Sequence, residues 1–442
     1  MRVALIGAGI NGVTTAYELA LDGHEVTVYE QRGSIAAQAS FAQAGLMAPG
    51  HLQPFAAPSL TGALLNPLLR RPATLERLCS VHPGLLPWLW RWWRANRAPG
   101  RLASLRQLHS LVHYSQTRLH QLDHDLGLEH EHSQGHLVLL RSKRERQQAE
   151  ASMAVLHELG ERADLLDPAQ AQLIEPALQG GEQLIGALHL PGDEVVNGRQ
   201  FAHRLKDEAR RLGVQFHFHH DVMSVVAGTQ PLVMAQARDD MLDSQPSDEL
   251  RSNPPSTVLQ AEGAQSFDAV IICAGQGAAN LLKPLGVRLN TQLVHGYSIT
   301  APLHLPEASP DPGPRSALTD ERHQVSITRL GHRVRVAGGY EVGGRDKAWR
   351  QGSVDTLYRV LDDWFPGAAR TSRATEWRGT RVMTPDGLPV LGASGAPGIW
   401  LNLAHGQHGW AEACGAARIL ADQITGRSGA IDVAQLGAHR FR

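Results

Sequence analysis

Short apolar runs closed by glycine alternate with amphipathic stretches from the first residues of the chain. "VALIG", from Val3 to Gly7, has the pattern of a buried parallel strand. "VTTAYELALDG", Val13 to Gly23, predicts a helix stopped by Gly23, and "EVTVYE", Glu25 to Glu30, predicts the next strand. The opening is therefore a strand–helix–strand unit. Three later stretches repeat its style. One is a helix over about 198–212 that runs into a strand. The second is the apolar strand "FDAVIICAG". The third is the strand, glycine loop and helix of "GIWLNLAHGQHGWAEACGAARILADQITG".

The stretches between them differ. Residues 53–188 are largely helical and rich in Arg and Leu, and residues 289–375 alternate polar and apolar in "VSITRL" and "HRVRVAGGYEV". This pattern predicts a second domain inserted twice into the first. The expected boundaries are 1–52, 189–288 and 376–442 for the first domain, and 53–188 and 289–375 for the second. Residues 227–257, rich in Ser, Pro, Asp and Gln, are expected to be a flexible surface insertion.

The turn after the first strand reads "GAGING" and fills G-x-G-x-x-G at Gly7, Gly9 and Gly12. The flanking strand, helix and second strand ending in Glu30 are the context in which this pattern binds a dinucleotide. Gly7 permits the tight turn, Gly9 lets the backbone approach a pyrophosphate, and Gly12 lets helix and strand pack. The helix N-terminus offers N–H groups to phosphate, and Glu30 offers acceptors to a ribose hydroxyl. The unit does not by itself separate NAD from FAD. After Glu30, however, the chain enters a long loop of small residues, Gln31 to Pro58, which suits an extended cofactor such as FAD. The expected fold class is α/β: a Rossmann-like FAD-binding domain with an interleaved α+β substrate domain that carries an antiparallel sheet.

Composition narrows the function classes. Hydrophobic residues make up 42% of the 442 and charged residues 19%, as in an ordinary globular protein. Acids number 43 and bases 42, so no field points to nucleic acid. Cys79, Cys273 and Cys414 are far apart and odd in number, which implies neither a disulfide framework nor a metal site. Among the 23 histidines, the run His217 to Asp221 could hold a metal, but alternation at a strand edge accounts for it and no metal is expected. With a structural N-terminus and no long apolar run, a cytoplasmic protein is expected, with peripheral membrane attachment left open.

Five segments together resemble the FAD-dependent D-amino acid dehydrogenases, within the amine-oxidising flavoproteins that include glycine oxidase and sarcosine oxidase. They are "VALIGAGINGVTTAYELALDGHEVTVYEQ", "ASFAQAGLMAPG", "VHGYSIT", "WRGTRVMTPDGLPVLG" and "LNLAHGQHGW", spread in order over nearly the whole chain. The resemblance implies non-covalent FAD. It places Gly7, Ala8, Gly9, Ile10, Gly12, Glu30 and Gln31 in the dinucleotide fingerprint. Ser40, Gln43, Ala44, Gly45 and Leu46 match the loop along the flavin ring, Val222 the residue facing the adenine, and Ala274 and Gly275 the strand end near the ribose. Gly406, Gln407, His408 and Gly409 match the loop beneath the pyrimidine end of the flavin, and Arg381 the arginine that holds the substrate carboxylate. The chain departs from the family pattern at Ala404, where Gly is usual, at Val382, where Pro is usual, and at His295, where another basic residue is usual.

Hydride transfer from an amino acid α-carbon asks the protein for three things. The carboxylate needs a bidentate cation, charge developing on the flavin needs a helix N-terminus, and the amine must be neutral. Arg381, on what reads as a constrained loop between Gly379 and Pro385, suits the first need, and the segment from His405 onward suits the second. Tyr297 either caps the substrate or fills the sheet face. His51 and His405 either contact the substrate or are packed residues. Arg378 is expected to face outward, and Asp386 to form a turn. The Trp-rich "LLPWLWRWWRAN" is read as a packed helix, with a membrane-surface helix as the sharper alternative.

The leading expectation is oxidative deamination of D-amino acids to 2-oxo acids and ammonia. Electrons would leave through FAD to a quinone or an electron-transfer protein rather than to NAD. An oxygen-using oxidase of glycine, sarcosine or proline derivatives is the near alternative, and a non-catalytic FAD-binding module the distant one.

Overall fold

The computed structural model describes residues 1–52, 77–78, 85–238, 263–304, 310–342 and 349–441. Among these residues the chain builds a six-stranded sheet, a larger ten-stranded sheet and a small three-stranded one. The six-stranded sheet runs in the order Val390–Ala393, Ile399–Leu403, Ala269–Ile272, Arg2–Ile6, Glu25–Tyr29, Gln215–His217. All of its pairs are parallel except the first, which is antiparallel. Its central strand aligns Leu5 with Val28 on one side and with Ile271 on the other, and all three are fully buried. Such unbroken burial is what a parallel sheet covered on both faces demands of its sequence.

One face carries the helices Ile10–Leu21, Ala98–Leu126, Gly198–Arg211 and Ala413–Ile424, whose apolar sides form the largest core. The opposite face packs against the three-stranded sheet and the short helix Ala278–Leu282. The first helix begins at Ile10, directly on the glycine turn and three residues earlier than periodicity suggests. Gly12 makes this possible. A Cβ on residue 12 would lie 2.0 Å from the Gly7 carbonyl oxygen, and one on Gly7 would lie 2.8 Å from that of Cys273. Only glycine lets the turn close on itself and on the neighbouring strand end.

The larger sheet runs Thr375–Met383, Gln292–Pro302, Arg333–Val342, Val325–Leu330, Ala317–Asp320, His132–Leu140, Gly186–Val196, Leu46–Met47, with two short strands beside it. It is antiparallel apart from the pairing of Ala317–Asp320 with His132–Leu140 and that of the short strand Arg77–Leu78 with Arg333–Val342. The helix Gln351–Trp364 covers one face with Val354, Leu357, Val360, Leu361 and Trp364. The strand Gly186–Val196 stays in this sheet through Val196, so the chain changes sheets later than residue 188. Thr375–Met383 likewise stays in it beyond residue 375.

Two sequence expectations need correcting. The segment 227–257 is not one flexible insertion: Leu232–Ala237 is a strand paired with His220–Val226, and only residues 239–262 lie outside the described residues. The stretch carrying Arg378 and Arg381 is a strand, not a loop. It tolerates its glycine because it is the edge of the sheet: among the described strands, Gln292–Pro302 is its one neighbour.

A buried charge knot ties the helix layer together. The Glu18 carboxylate, wholly inside, accepts two hydrogen bonds from Arg118, at 2.7 and 3.0 Å, and one from Arg418 at 2.8 Å. Arg418 continues to Asp22 and Asp422. Three helices distant in sequence are thus fixed by one anion. Glu18→Ala leaves two largely buried guanidinium groups facing each other, and should cost about 3 kcal/mol of stability in urea unfolding.

Candidate active site

A cavity of about 560 Å³ opens at the C-terminal ends of the parallel strands, against the inner face of the larger sheet. That is where open α/β sheets bind their ligands. The glycine turn forms one end, with Gly7, Gly9, Ile10 and Gly12, followed by Glu30 and Gln31. Ala8 lies beneath the lining, and its N–H donates to Glu30 Oε2 at 2.7 Å. Arg32 N–H donates to the other oxygen at 2.9 Å. Burial pushes the Glu30 carboxyl above its ordinary range, against these backbone bonds. Val222, Ala274 and Gly275 also line this end.

The small-residue loop crosses the middle. Ser40, Gln43, Ala44 and Leu46 face the cavity. Ser40 Oγ accepts from Ile10 N–H at 3.1 Å. Arg335 donates to the Gln43 carbonyl at 2.9 Å and Thr328 to that of Ala44 at 2.8 Å, so the larger sheet holds the loop from behind. Gly45 lies outside the lining, with its backbone close against Val196. Gly406, Gln407, His408 and Gly409 close the far side and lead into the helix Ala413–Ile424.

The cavity fits a dinucleotide. Gly9 is open to it, since a Cβ there would meet only Ser40 Oγ, at 3.7 Å. Asn11, beside it, buries a side-chain oxygen that has no hydrogen-bond partner.

Arg381 reaches the cavity from the edge strand. Its guanidinium carbon lies 5.3 Å from the centre of the Tyr340 ring, and it forms no ion pair among the described residues. The next residue, Val382, accepts a hydrogen bond from Gly406 N–H at 3.1 Å. The strand that carries the arginine is therefore joined to the loop at the far side. His51 lines the cavity as well, half-buried, with its ring edge-on to His136 at 4.9 Å.

Tyr297 is not brought into the cavity. It is 2% exposed within the core under the helix Gln351–Trp364, and its hydroxyl contacts Glu341 and Arg350 N–H. Arg378 does not face outward: it is half-buried, with its guanidinium 6.0 Å from the Tyr297 ring. Asp386 does form a turn, accepting from Leu388 N–H at 3.2 Å, and it also pairs with Arg440 at 3.0 Å. Around His217 to Asp221 no metal cluster is present among the described residues; His217 stacks on Tyr29 instead.

Sequence reasoning did not find Tyr340, Thr319 and Ser326 in the lining, nor the full environment of His405. The polar positions in "ALTD" and "VSITRL" read equally well as a solvent-facing side. The His405 ring bonds Glu412 through Nδ1 and Asn402 Oδ1 through Nε2, the latter at 2.6 Å, inside the protein. Ala404, where the resemblance leads one to expect glycine, has φ +59°, the left-handed region. Its side chain carries a steric cost there. Ala404→Gly should raise stability by up to about 1 kcal/mol, seen as a higher unfolding midpoint in urea.

The description "FAD dependent oxidoreductase" (DAO) belongs to the family model that matches residues 2–423. A D-amino acid dehydrogenase from Bradyrhizobium diazoefficiens is 34% identical over the full length of both chains. One from Cereibacter sphaeroides is 35% identical over all of this chain and 95% of its own. Among solved structures, a glycine oxidase from Geobacillus kaustophilus superposes with a TM-score of 0.70 at 20% identity, covering 99% of this chain and 98% of that one. L-proline dehydrogenase from P. horikoshii gives 0.68 at 17% identity, covering 100% and 97%. With cavity, glycine turn and whole-length relatives in agreement, this chain belongs to the DAO family of FAD-dependent oxidoreductases.

Proposed function

We propose that the chain oxidises D-amino acids to 2-oxo acids and ammonia, with FAD held non-covalently in the cavity. The observation that carries this reading is Arg381, a half-buried guanidinium with an aromatic ring beside it and no anion of its own among the described residues. A planar fork of N–H donors left free in a cavity suits a carboxylate held by two bonds. The D-amino acid dehydrogenases that match this chain end to end support the substrate class.

When bound, FAD supplies the acceptor for the hydride that leaves the substrate α-carbon. The residues of the chain do the positioning. Gly7, Gly9, Gly12 and the start of the first helix cradle the pyrophosphate, and Glu30 holds a ribose hydroxyl. The loop 40–46 would hold the ring system. Residues 406–409 offer the N-terminal end of the last helix to developing negative charge. Arg381 and Tyr340 fix the carboxylate end of the substrate, and the surrounding apolar walls favour a neutral amine. Cys273, a half-buried thiol in the lining, has its pKa driven upward by desolvation, which makes it a poor point of covalent attachment.

The acceptor of the electrons is proposed to be a quinone or an electron-transfer protein. No described helix is long and apolar enough to cross a membrane. The helix Leu86–Ala95 has two faces, however. Trp88 and Trp92 are buried against Val294, Val342 and Met383, whereas Leu86, Trp90 and Trp93 are 54%, 56% and 44% exposed. Arg94 and Arg97 lie over the two exposed indoles. Such a face suits the headgroup layer of a membrane.

Four measurements test these readings. Mixed anaerobically, the yellow protein should be bleached by D-amino acids and not by L-amino acids alone; bleaching only by glycine, sarcosine or proline derivatives favours the oxidase alternative. Arg381→Ala should raise the apparent substrate constant roughly a hundredfold at unchanged flavin content. Acid precipitation should release all the flavin. For the membrane face, the wild type should sediment with anionic liposomes and the Trp90→Ser, Trp93→Ser double variant should not.

A further inference from the structure

A run of hydrogen bonds leads out of the cavity into the interior of the larger sheet. Ser326, half-buried, and Thr319, 2% exposed, both line the cavity on neighbouring strands, and their hydroxyl oxygens are 3.1 Å apart. Thr319 Oγ1 is 2.9 Å from His136 Nε2. The other ring nitrogen, Nδ1, is 2.9 Å from Asp193 Oδ2. The second Asp193 oxygen accepts from Gly50 N–H at 2.8 Å. His136 and Asp193 have fully enclosed side chains. A buried Asp–His pair is expensive to keep, and the Arg381 clamp makes no use of it.

We propose that Ser326, Thr319 and His136 form a proton relay that removes the proton from the substrate's ammonium group, with Asp193 as the buried counter-charge. The inference rests on the amino acid reading above. The ammonium N–H bond breaks as an O–H bond forms on Ser326. The Ser326 proton moves to Thr319, and the Thr319 proton moves to His136 Nε2. No electrons are exchanged. The positive charge passes from the substrate nitrogen to the imidazole, where the Asp193 carboxylate balances it, and the amine keeps the lone pair that the departing hydride requires. Ser326 touches the substrate; Thr319, His136 and Asp193 act through it.

The relay can accept a proton only while the Asp–His pair has room for one. Burial pushes the Asp193 carboxyl up to about 8, opposed by the Gly50 hydrogen bond and the charge of His51, and burial also holds the His136 ring well below its ordinary range. The surrounding titratable groups are His51, Glu321, His189, Glu194 and Glu161. Below the pair's titration Asp193 keeps its proton and the relay is full; above it the relay is vacant. Flavin reduction should therefore slow as pH falls through about 8.

Anaerobic stopped-flow reduction of the FAD-loaded protein by a D-amino acid, followed across this range, tests the relay. Thr319→Val, close to isosteric, should slow the limiting rate by roughly a hundredfold and move the acid limb to higher pH. Thr319→Ser should restore both. Affinity for acetate, which has the carboxylate but no amine, should be the same in all three proteins when read from the flavin spectrum. An acid limb that stays in place in Thr319→Val, or acetate affinity that falls with the rate, overturns the relay alone. Wild-type flavin that no amino acid reduces overturns the substrate reading and the relay together.

Discussion

The site depends on how closely residue 12 approaches the carbonyl of residue 7. That contact lets the first helix start on the turn itself, aims its N-terminus at the cavity, and sets it on the central strand of the smaller sheet. A methyl group at residue 12 would push the helix away by more than an ångström. The strand ends at Ile6, Cys273 and Leu403 would then no longer share a rim. The charge knot at Glu18 acts in the same direction from the far end of the helix, holding it to the helices Ala98–Leu126 and Ala413–Ile424. One contact fixes where the helix begins, and the other fixes which way it points.

The two sheets meet through the backbone as much as through side chains. The loop 43–45 ends the passage from Glu25–Tyr29 of the six-stranded sheet to Leu46–Met47 of the larger one, and it is held by Thr328, Arg335 and Val196 of the larger sheet. On the opposite side, Val382 of the larger sheet accepts from Gly406 of the smaller. The cavity is thus bordered by segments that each layer supplies to the other. The proposed substrate clamp on one sheet and the proposed nucleotide cradle on the other can stay in register without a continuous strand between them.

Much of this was legible in the sequence, for identifiable reasons. The glycine turn, its strand and its helix follow local rules that hold wherever a dinucleotide is bound. Strands such as Ala269–Ile272 declare themselves because burial on both faces leaves no polar position. The strand carrying Arg381 was hidden because edge strands accept the residues that ordinarily break strands. Tyr297 could not be placed, because which face of a strand meets the cavity depends on register and on the β-bulge between His295 and Tyr297. His136 and Asp193 left no local signal: they lie 57 positions apart, and only pairing between their strands brings them together.

The strand order also bears on how the protein is made. The central strand Arg2–Ile6 has Glu25–Tyr29 on one side almost at once, but its other neighbour is Ala269–Ile272, and that strand's outer partner is Ile399–Leu403. At ordinary rates of translation, about 5–20 residues per second, the apolar edge of the first strand waits roughly a quarter of a minute to a minute for its partner. Through that interval it presents unpaired backbone and bare Val and Leu side chains to solvent or to a chaperone. The nucleotide site, though announced in the first dozen residues, is among the last parts of the molecule to exist.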